Sequence, residues 1–565
     1  MAGDLPRIIW CCWLQGRDTA PPLVQRCLES WEQHNPGWEL RCLDAQSVQY
    51  YLDLDELPDL RKQTITAASL SDIIRVLLLH EYGGVWVDAT LFCNRPLDDW
   101  LPANCRSGFF AFAAPAGDRP ISSWFLAATH TSRLISSWAG LVHSYWQSRE
   151  RADRYFWLHT SFGQLCEKDE VARTEWDETP KISAEGPHSL QFRGGMYNPD
   201  QDASDRVDWS APVFKLTHRT DPDAYAPGCL LHRLLGLDSL EATHPANPPD
   251  PSPRDPAGPS TFASLKVSTE NLGDHIQIIA AQRLAARHGL RHAFHVDRDD
   301  EIATSPRLDA EPGPVGILLN GWFKTNRAEW PPHPALLPLF LGFHIRLFQC
   351  PELVSEEAIA YYKRHEPIGC RDEYTRQLLQ DHGVETLLSN CLSILLPKRF
   401  PDPEKQDTVF VVSRTDQLHQ SLPETIGPYT AINHYSGSRD FEANMARAAE
   451  LLETYRSRAR LIITSLLHCA LPAIAMGIPV IVFYPPNNER GHNSDRERFS
   501  TLNRMVRVYT LEEMDQVDWN GQVLDEIGRH KFRLCELFRE SVRRWNRGGP
   551  SPIGPIAPSG ELPPP

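Results

Sequence analysis

Apolar and polar positions along the chain change period repeatedly, and the changes predict strands alternating with helices. Near the start, RIIWCCWL reads as a strand, Pro21-Pro22 as a turn, and residues 23–34 as a helix. WELRCLD reads as a second strand. A helical pattern then covers roughly residues 65–82, Gly83-Gly84 is placed to end it, and VWVDATLF is the next strand. This order implies an α/β domain with a mostly parallel sheet and a ligand site at the carboxyl ends of its strands.

Residues 244–261 are rich in proline and lack apolar periodicity, so they read as an extended linker. The pattern then restarts. NLGDHIQIIAAQRLAARHG is a turn and helix; PVGILLNGWF, GFHIRLFQC and EPIGCRD each contain a strand; DEYTRQLLQDHG is a helix. A further set follows in TVFVVS, YTAINHY, a helix over residues 441–455, ARLIITS, a helix after His468, and PVIVFY. Two Rossmann-like halves with a cleft between them are expected. The boundaries predicted are 1–243, 262–548 and a proline-rich tail over 549–565.

The apolar stretch over residues 461–484 is long enough to suggest a membrane span. His468, Pro472, Gly477 and Pro479 divide it, however, into strand, helix and strand. The N-terminus lacks the pattern of a secretory signal, so a cytoplasmic location is expected. The 13 cysteines show no paired metal spacing and read as free thiols. A net charge of −16 argues against a nucleic-acid partner while leaving room for a local basic pocket.

Asp72 and Arg75 lie one turn apart on the long helix, opposite the face of Leu70, Ile73, Ile74 and Leu77. Their side is also apolar, through Ala68, Val76 and Leu79, so the helix is expected to be buried. The pair is either a self-neutralising buried ion pair or a pair aimed into a pocket. Asp88, at the end of VWVD, is placed to hold a divalent cation or to cap a turn.

The segments RIIWCCWLQG, NPGWELRCLD, SLSDIIRVLLLHEYGGVWVDAT, YFWLHTSF and FKLTHR resemble the capsular polysaccharide synthesis glycosyltransferases, relatives of the DXD sugar transferases with a GT-A fold. The resemblance covers roughly residues 5–240 and implies a nucleotide-sugar donor, a saccharide or lipid-linked glycan acceptor, and a peripheral place at the inner membrane face. It implies donor-sugar contacts from Asp72 and Arg75, and a Mn²⁺ or Mg²⁺ site at Asp88. The second acid of DXD is replaced by Thr90, a weaker ligand. His218 is a candidate third ligand or a structural histidine, Lys215 a candidate cation beside the diphosphate, and Trp10 or Trp13 a candidate base-stacking ring or a core aromatic.

In the second half, Asn271, Gly273 and Asp274 precede a helix, where an anion would be favoured and where Asp274 would serve equally as a cap. Arg371 and His468 sit at two other strand-to-helix turns. NLGDHIQIIAAQRL, LLNGWF, PIGCRDEYTRQLL, SNCLSILL and TSLLHCALPAIAMGIPVIVF resemble the polysaccharide pyruvyl transferase family, generally GT-B-like in fold. That resemblance implies transfer of a pyruvyl group from phosphoenolpyruvate, with Arg371 on the donor's carboxylate or phosphate and His468 on the phosphate or as general acid. Many members carry Arg where this chain has Leu466; Arg490, Arg496 or Arg498 are the candidate substitutes. The combined expectation is a bifunctional bacterial capsule or exopolysaccharide enzyme: a GT-A-like Rossmann-type domain followed by a GT-B-like domain of two Rossmann-like halves. The alternatives for the second half are another sugar transferase or a non-catalytic module that binds glycan or a partner.

Overall fold

The computed structural model describes residues 5–53, 65–117, 119–147, 149–192, 207–218, 261–290, 292–323, 330–345, 351–485, 498–524 and 526–546. The chain divides into two compact units, Met1–Ser252 and Pro253–Pro565. The predicted linker core, the tail, Arg490 and Arg496 lie outside the described residues.

The first unit is built on β1 (Ile8–Cys12), α1 (Pro22–His34), β2 (Glu39–Leu43), α2 (Ala67–Tyr82), β3 (Gly84–Val87), β4 (Leu91–Cys93), β5 (Phe109–Ala116) and β6 (Arg119–Ala128). Its main sheet runs β2-β1-β3-β6-β5. Strand β1 is parallel to β2 and β3, but β6 is antiparallel to both β3 and β5. The sheet is therefore mixed, which corrects the mostly parallel expectation. Only residues 117 and 118 separate β5 from β6, and so short a link permits an antiparallel hairpin but no crossover.

Helix α2 is buried on nearly every side, as its apolar surroundings predict; Ile73, Ile74, Val76, Leu78 and Leu79 are all in the core. Thr66 caps its start by accepting from the Ser69 N–H, and Gly83, at φ +70°, turns the chain out of it. Gly84 then runs so close to β1 that a Cβ would lie 2.6 Å from the Ile8 carbonyl oxygen. The apolar segment VWVDATLF is not one strand. After β3 the chain turns at Asp88, whose carbonyl accepts from the Leu91 N–H at 2.9 Å, and β4 leaves the main sheet to pair with β7 (Val213–Lys215).

The second unit contains two all-parallel sheets, β13-β12-β11-β10-β8-β9 and β15-β14-β16-β17-β18. The first begins with β8 (Thr261–Lys266), a strand absent from the sequence expectation, followed by α3 (Leu272–Arg287). It continues with β9 (His292–Asp297), β10 (Val315–Phe323), β11 (Leu336–Ile345), β12 (Ile368–Cys370), α4 (Glu373–Asp381) and β13 (Thr386–Leu388). The second comprises β14 (Thr408–Val412), β15 (Thr430–Ile432), α5 (Phe441–Arg458), β16 (Ala459–Thr464), α6 (Leu467–Ala475), β17 (Val480–Phe483) and β18 (Val508–Tyr509). The predicted pair of Rossmann-like halves is present.

The two halves meet at the start of α3, where the Leu272 N–H donates to the His434 carbonyl and the Ser436 N–H to that of Glu270. The apolar stretch that suggested a membrane span is β16, α6 and β17, buried as strand, helix and strand. Among the described residues no helix is long and apolar enough to cross a membrane, and the cysteines are free thiols.

Candidate active sites

In the first unit, β3 delivers Asp88 to a cavity of about 1370 Å³ that Asp72, Arg75, Thr90, Lys215, Trp13 and His218 also line. Arg75 is the hub. Its Nη1 lies 2.9 Å from Asp72 Oδ1 and donates to the Ser123 carbonyl at 3.0 Å; its Nη2 donates to Asp88 Oδ1 at 3.1 Å. Its guanidinium lies over the Trp86 ring, 5.2 Å from the centroid. The two readings of Asp72 and Arg75 thus both hold in part: they form an ion pair, and they line a cavity.

Lys215 arrives from far along the chain because β7 pairs with β4, setting Leu91 opposite Lys215. Its Nζ lies 2.6 Å from Thr90 Oγ1 and 3.3 Å from Asp88 Oδ2. Loss of water would raise the Asp88 pKa, but Arg75, Lys215 and the Trp86 indole N–H outweigh that and hold the carboxyl below its ordinary value. Burial pushes Asp72 up to about 6; Asp88 adds to the shift and Arg75 opposes it.

Asp88, Thr90 and His218, the predicted metal set, all line the cavity. Lys215 engages the Thr90 hydroxyl, and His218 stands edge-on to Trp13, with ring centroids 5.1 Å apart. Among the described residues no three His, Cys, Asp or Glu side chains are placed together to hold a metal. Of its two readings Trp10 takes the core one, which corrects its candidate contact with substrate. It is 0% exposed, its indole donates to the Gly83 carbonyl at 2.9 Å, and its ring packs on Tyr51 and Tyr82. Its position inside β1 points it into the core. Trp13, one residue beyond the strand's end, is the ring at the cavity.

In the second unit a smaller cavity, about 80 Å³, lies between the two halves, lined by Asn271, Gly273, Arg414, His434, His468 and Arg498 among others. Asn271, not Asp274, caps α3, accepting from the Gly273 N–H at 3.2 Å. Gly273 lets His468 approach: a Cβ there would lie 2.9 Å from His468 Cβ and 3.0 Å from its Nδ1. Asp274 is buried and accepts from Gln277 Nε2 at 3.2 Å. That same Nε2 lies 3.4 Å from His468 Nδ1, which makes Nδ1 the acceptor and assigns the neutral ring's hydrogen to Nε2. His468 Nε2 has no hydrogen-bond partner among the described residues. Burial, with Arg371 and Arg498 nearby, holds the His468 pKa well below its ordinary value.

Arg371 is 2% exposed and none of its three guanidinium nitrogens has a hydrogen-bond partner among the described residues. The neighbouring Asp372 caps α4 through the Thr375 N–H, and its second oxygen lies 2.6 Å from His344 Nδ1 and 3.6 Å from Arg371 Nε. Arg371 is not among the residues that line the cavity; its charge acts on His468. Leu466 does line it and brings no charge, whereas Arg498 lines it as one of the expected substitutes. Arg414, at the turn after β14, was missed. Its only sequence signal is its place at the carboxyl end of a strand.

Residues 4–233 match the family model described as Capsular polysaccharide synthesis protein, and residues 271–487 that described as Polysaccharide pyruvyl transferase. Glycosyltransferase afumC of Aspergillus fumigatus is 33% identical over 206 residues, covering 34% of this chain and 46% of that protein. O-glycosyltransferase braB of Annulohypoxylon truncatum is 27% identical over 157 residues, covering 24% of this chain and 37% of that protein. The chain thus spans less than half the length of these curated relatives. A solved Klebsiella pneumoniae protein of uncharacterized function is 15% identical, covering 44% of this chain and 92% of that one, at a TM-score of 0.28, too slight a likeness to bear on the fold. Two family matches thus follow one another along the chain, the capsular polysaccharide synthesis model in the first unit and the polysaccharide pyruvyl transferase model in the second.

Proposed function

We propose that the first unit transfers a sugar from a nucleotide-sugar donor to a hydroxyl of a glycan, saccharide or lipid-linked, and that the second transfers a pyruvyl group from phosphoenolpyruvate to a sugar. The observation that carries the first assignment is the bridge from Asp72 through Arg75 to Asp88 along one wall of the large cavity. In sugar transfer the donor's C1–O bond breaks with its electron pair on the diphosphate, while the acceptor oxygen bonds to C1 and its proton leaves with the diphosphate. Positive charge then gathers on the sugar and negative charge on the leaving group. Asp72 and Asp88 suit the first, and Arg75 and Lys215 the second. The O-glycosyltransferase among the relatives supports an oxygen acceptor.

For the second unit, support comes from cations and neutral His468 around a cavity of phosphate size. In ketal formation one sugar hydroxyl adds to C2 of phosphoenolpyruvate as a proton adds to C3. A second hydroxyl then takes the place of the departing phosphate. His468 Nε2–H is positioned to donate to that phosphate, and Arg414 and Arg498 supply charge that Leu466 does not.

The full chain, incubated with a panel of nucleotide sugars and with phosphoenolpyruvate plus saccharide acceptors, should release nucleoside diphosphate in the first case and phosphate in the second. Asp88→Asn is expected to lower sugar transfer by about 10²–10³ and leave phosphate release unchanged. Undiminished sugar transfer would remove Asp88 from the site. A second unit that binds nucleotide sugar and ignores phosphoenolpyruvate would be another sugar transferase; one that binds neither would be a binding module.

A further inference from the structure

Sugar transfer needs a positive charge beside the departing diphosphate, and a hard divalent cation is one way to supply it. Such a cation needs several oxygen ligands with lone pairs to spare. At the first site these are already committed. Asp88 Oδ1 accepts from both Arg75 Nη2 and Trp86 Nε1, each at 3.1 Å, and Oδ2 faces Lys215 Nζ at 3.3 Å. Thr90 Oγ1, standing where the DXD pattern has its second acid, accepts from the same Nζ at 2.6 Å. Asp72 is engaged by Arg75. A divalent ion placed between Asp88 and Thr90 would have to displace an ammonium group and sit beside a guanidinium.

The ammonium is held where it is by the fold. Strand β7 pairs with β4 directly after the turn that carries Asp88 and Thr90, and the Leu216 N–H donates to the Thr90 carbonyl at 3.0 Å. Replacement of the second acid by Thr90 and the presence of Lys215 are therefore complementary. A second carboxylate would call for a metal, whereas a hydroxyl accepts a lysine. The Lys215 side chain is 18% exposed and lines the cavity. A lysine ammonium is a compact charge with three rotatable donors, suited to a phosphate oxygen.

Resting on the sugar-transfer assignment of this site, we propose that Lys215 takes the place of the divalent cation: its ammonium, oriented by Asp88 and Thr90, receives the negative charge of the leaving nucleoside diphosphate, so that sugar transfer proceeds without a metal. The bonds made and broken are those of the sugar transfer itself. Lys215 gains and loses no proton; it contributes charge and hydrogen bonds, and Arg75 keeps Asp88 in place when Lys215 turns towards the diphosphate.

The test uses the full chain. Binding of UDP and GDP, with the matching nucleosides as controls, is measured by calorimetry in EDTA and again in Mn²⁺, alongside turnover of the nucleotide-sugar panel in both. Wild-type protein is expected to bind a nucleoside diphosphate and turn over its donor equally well, within about twofold, in either condition. Lys215→Met should weaken diphosphate binding at least about tenfold, leave nucleoside binding unchanged, and lower turnover by about 10²–10³. Lys215→Arg should recover much of the binding. In the double variant Thr90→Asp with Lys215→Met, a second carboxylate faces the diphosphate without the lysine, and turnover should become Mn²⁺-dependent. Wild-type turnover that needs Mn²⁺, or unchanged diphosphate binding in a folded Lys215→Met protein, would overturn the proposal. The chelator arm decides the question without any variant. If no nucleotide sugar is turned over and no nucleoside diphosphate bound in either condition, the sugar-transfer assignment itself fails, a different result from metal dependence.

Discussion

In the first unit two carboxylates, Asp72 and Asp88, face two cations, Arg75 and Lys215, and each oxygen-nitrogen contact is made within the protein. In the second unit Arg371, Arg414 and Arg498 gather near one small cavity, while Asp372 is committed to His344 and to the cap of α4. The charges of the first site are paired with one another, whereas in the second Arg371 is buried with no hydrogen-bond partner among the described residues. The difference bears on how each can bind an anion. The first site must rearrange contacts it already has, so its affinity for a diphosphate depends on Lys215 exchanging Asp88 and Thr90 for the anion. In the second, buried Arg371 has met the desolvation cost of its charge in advance, and a nearby anion offsets it.

The largest effect is expected at Arg371. Arg371 is buried and pairs with Asp372 at 3.6 Å, so Arg371→Met, with a side chain of similar length, removes one member of a buried pair and should lower thermal stability by about 3–5 kcal/mol in phosphate-free buffer. Stabilisation by phosphate, about 2.7 kcal/mol at a hundredfold excess over Kd, should fall as well, because Arg371 adds charge near the cavity without lining it. A destabilised variant whose stabilisation by phosphate is unchanged would make Arg371 a structural residue and break the contrast between the sites.

A smaller effect is expected for Gly273→Ala. The added Cβ would press on His468, 2.9 Å from its Cβ. Phosphate release from phosphoenolpyruvate should fall about ten- to a hundredfold, with sugar transfer unaffected, as an assay of both reactions on one preparation would show. Equal losses in both would mean a general folding defect.

The smallest effect sharpens the comparison through protons. Burial, then Arg371 and Arg498, keep His468 neutral by lowering its pKa well below the ordinary histidine value. A bound dianion offsets that repulsion and raises the pKa. Anion binding should therefore take up a fraction of a proton, and more as pH falls towards the liganded pKa. Calorimetry with sulfate, which does not itself titrate, in buffers of different ionisation enthalpy at pH about 6 should give a positive slope. The slope should vanish in His468→Gln; a slope that persists there would assign the proton to another group.

Much of this was legible in the chain because it rests on local pattern. The buried α2 with its glycine terminus, Asp88 at the end of an apolar strand, and the strand-helix-strand division of the long apolar stretch follow from side-chain spacing and from backbone angles that glycine alone adopts easily. The two parallel sheets of the second unit followed from the same alternation. The antiparallel β5-β6 hairpin was less legible. Both its strands are buried along most of their length, so the two-residue periodicity that distinguishes a hairpin is muted.

Spacing alone did not decide which polar groups meet. Trp10 and Trp13 look equivalent in the sequence, yet the end of β1 between them sends one into the core and leaves the other at the cavity. Lys215 reaches Thr90 and Asp88 only because β7 pairs with β4, and Arg371, directly after β12, is buried because that strand ends inside the core. The sequence by itself determined the elements and the residues available for chemistry, since both depend on near neighbours along the chain. Tertiary structure decided which charges meet, because electrostatic energy depends on distances in space that pairing between remote strands sets.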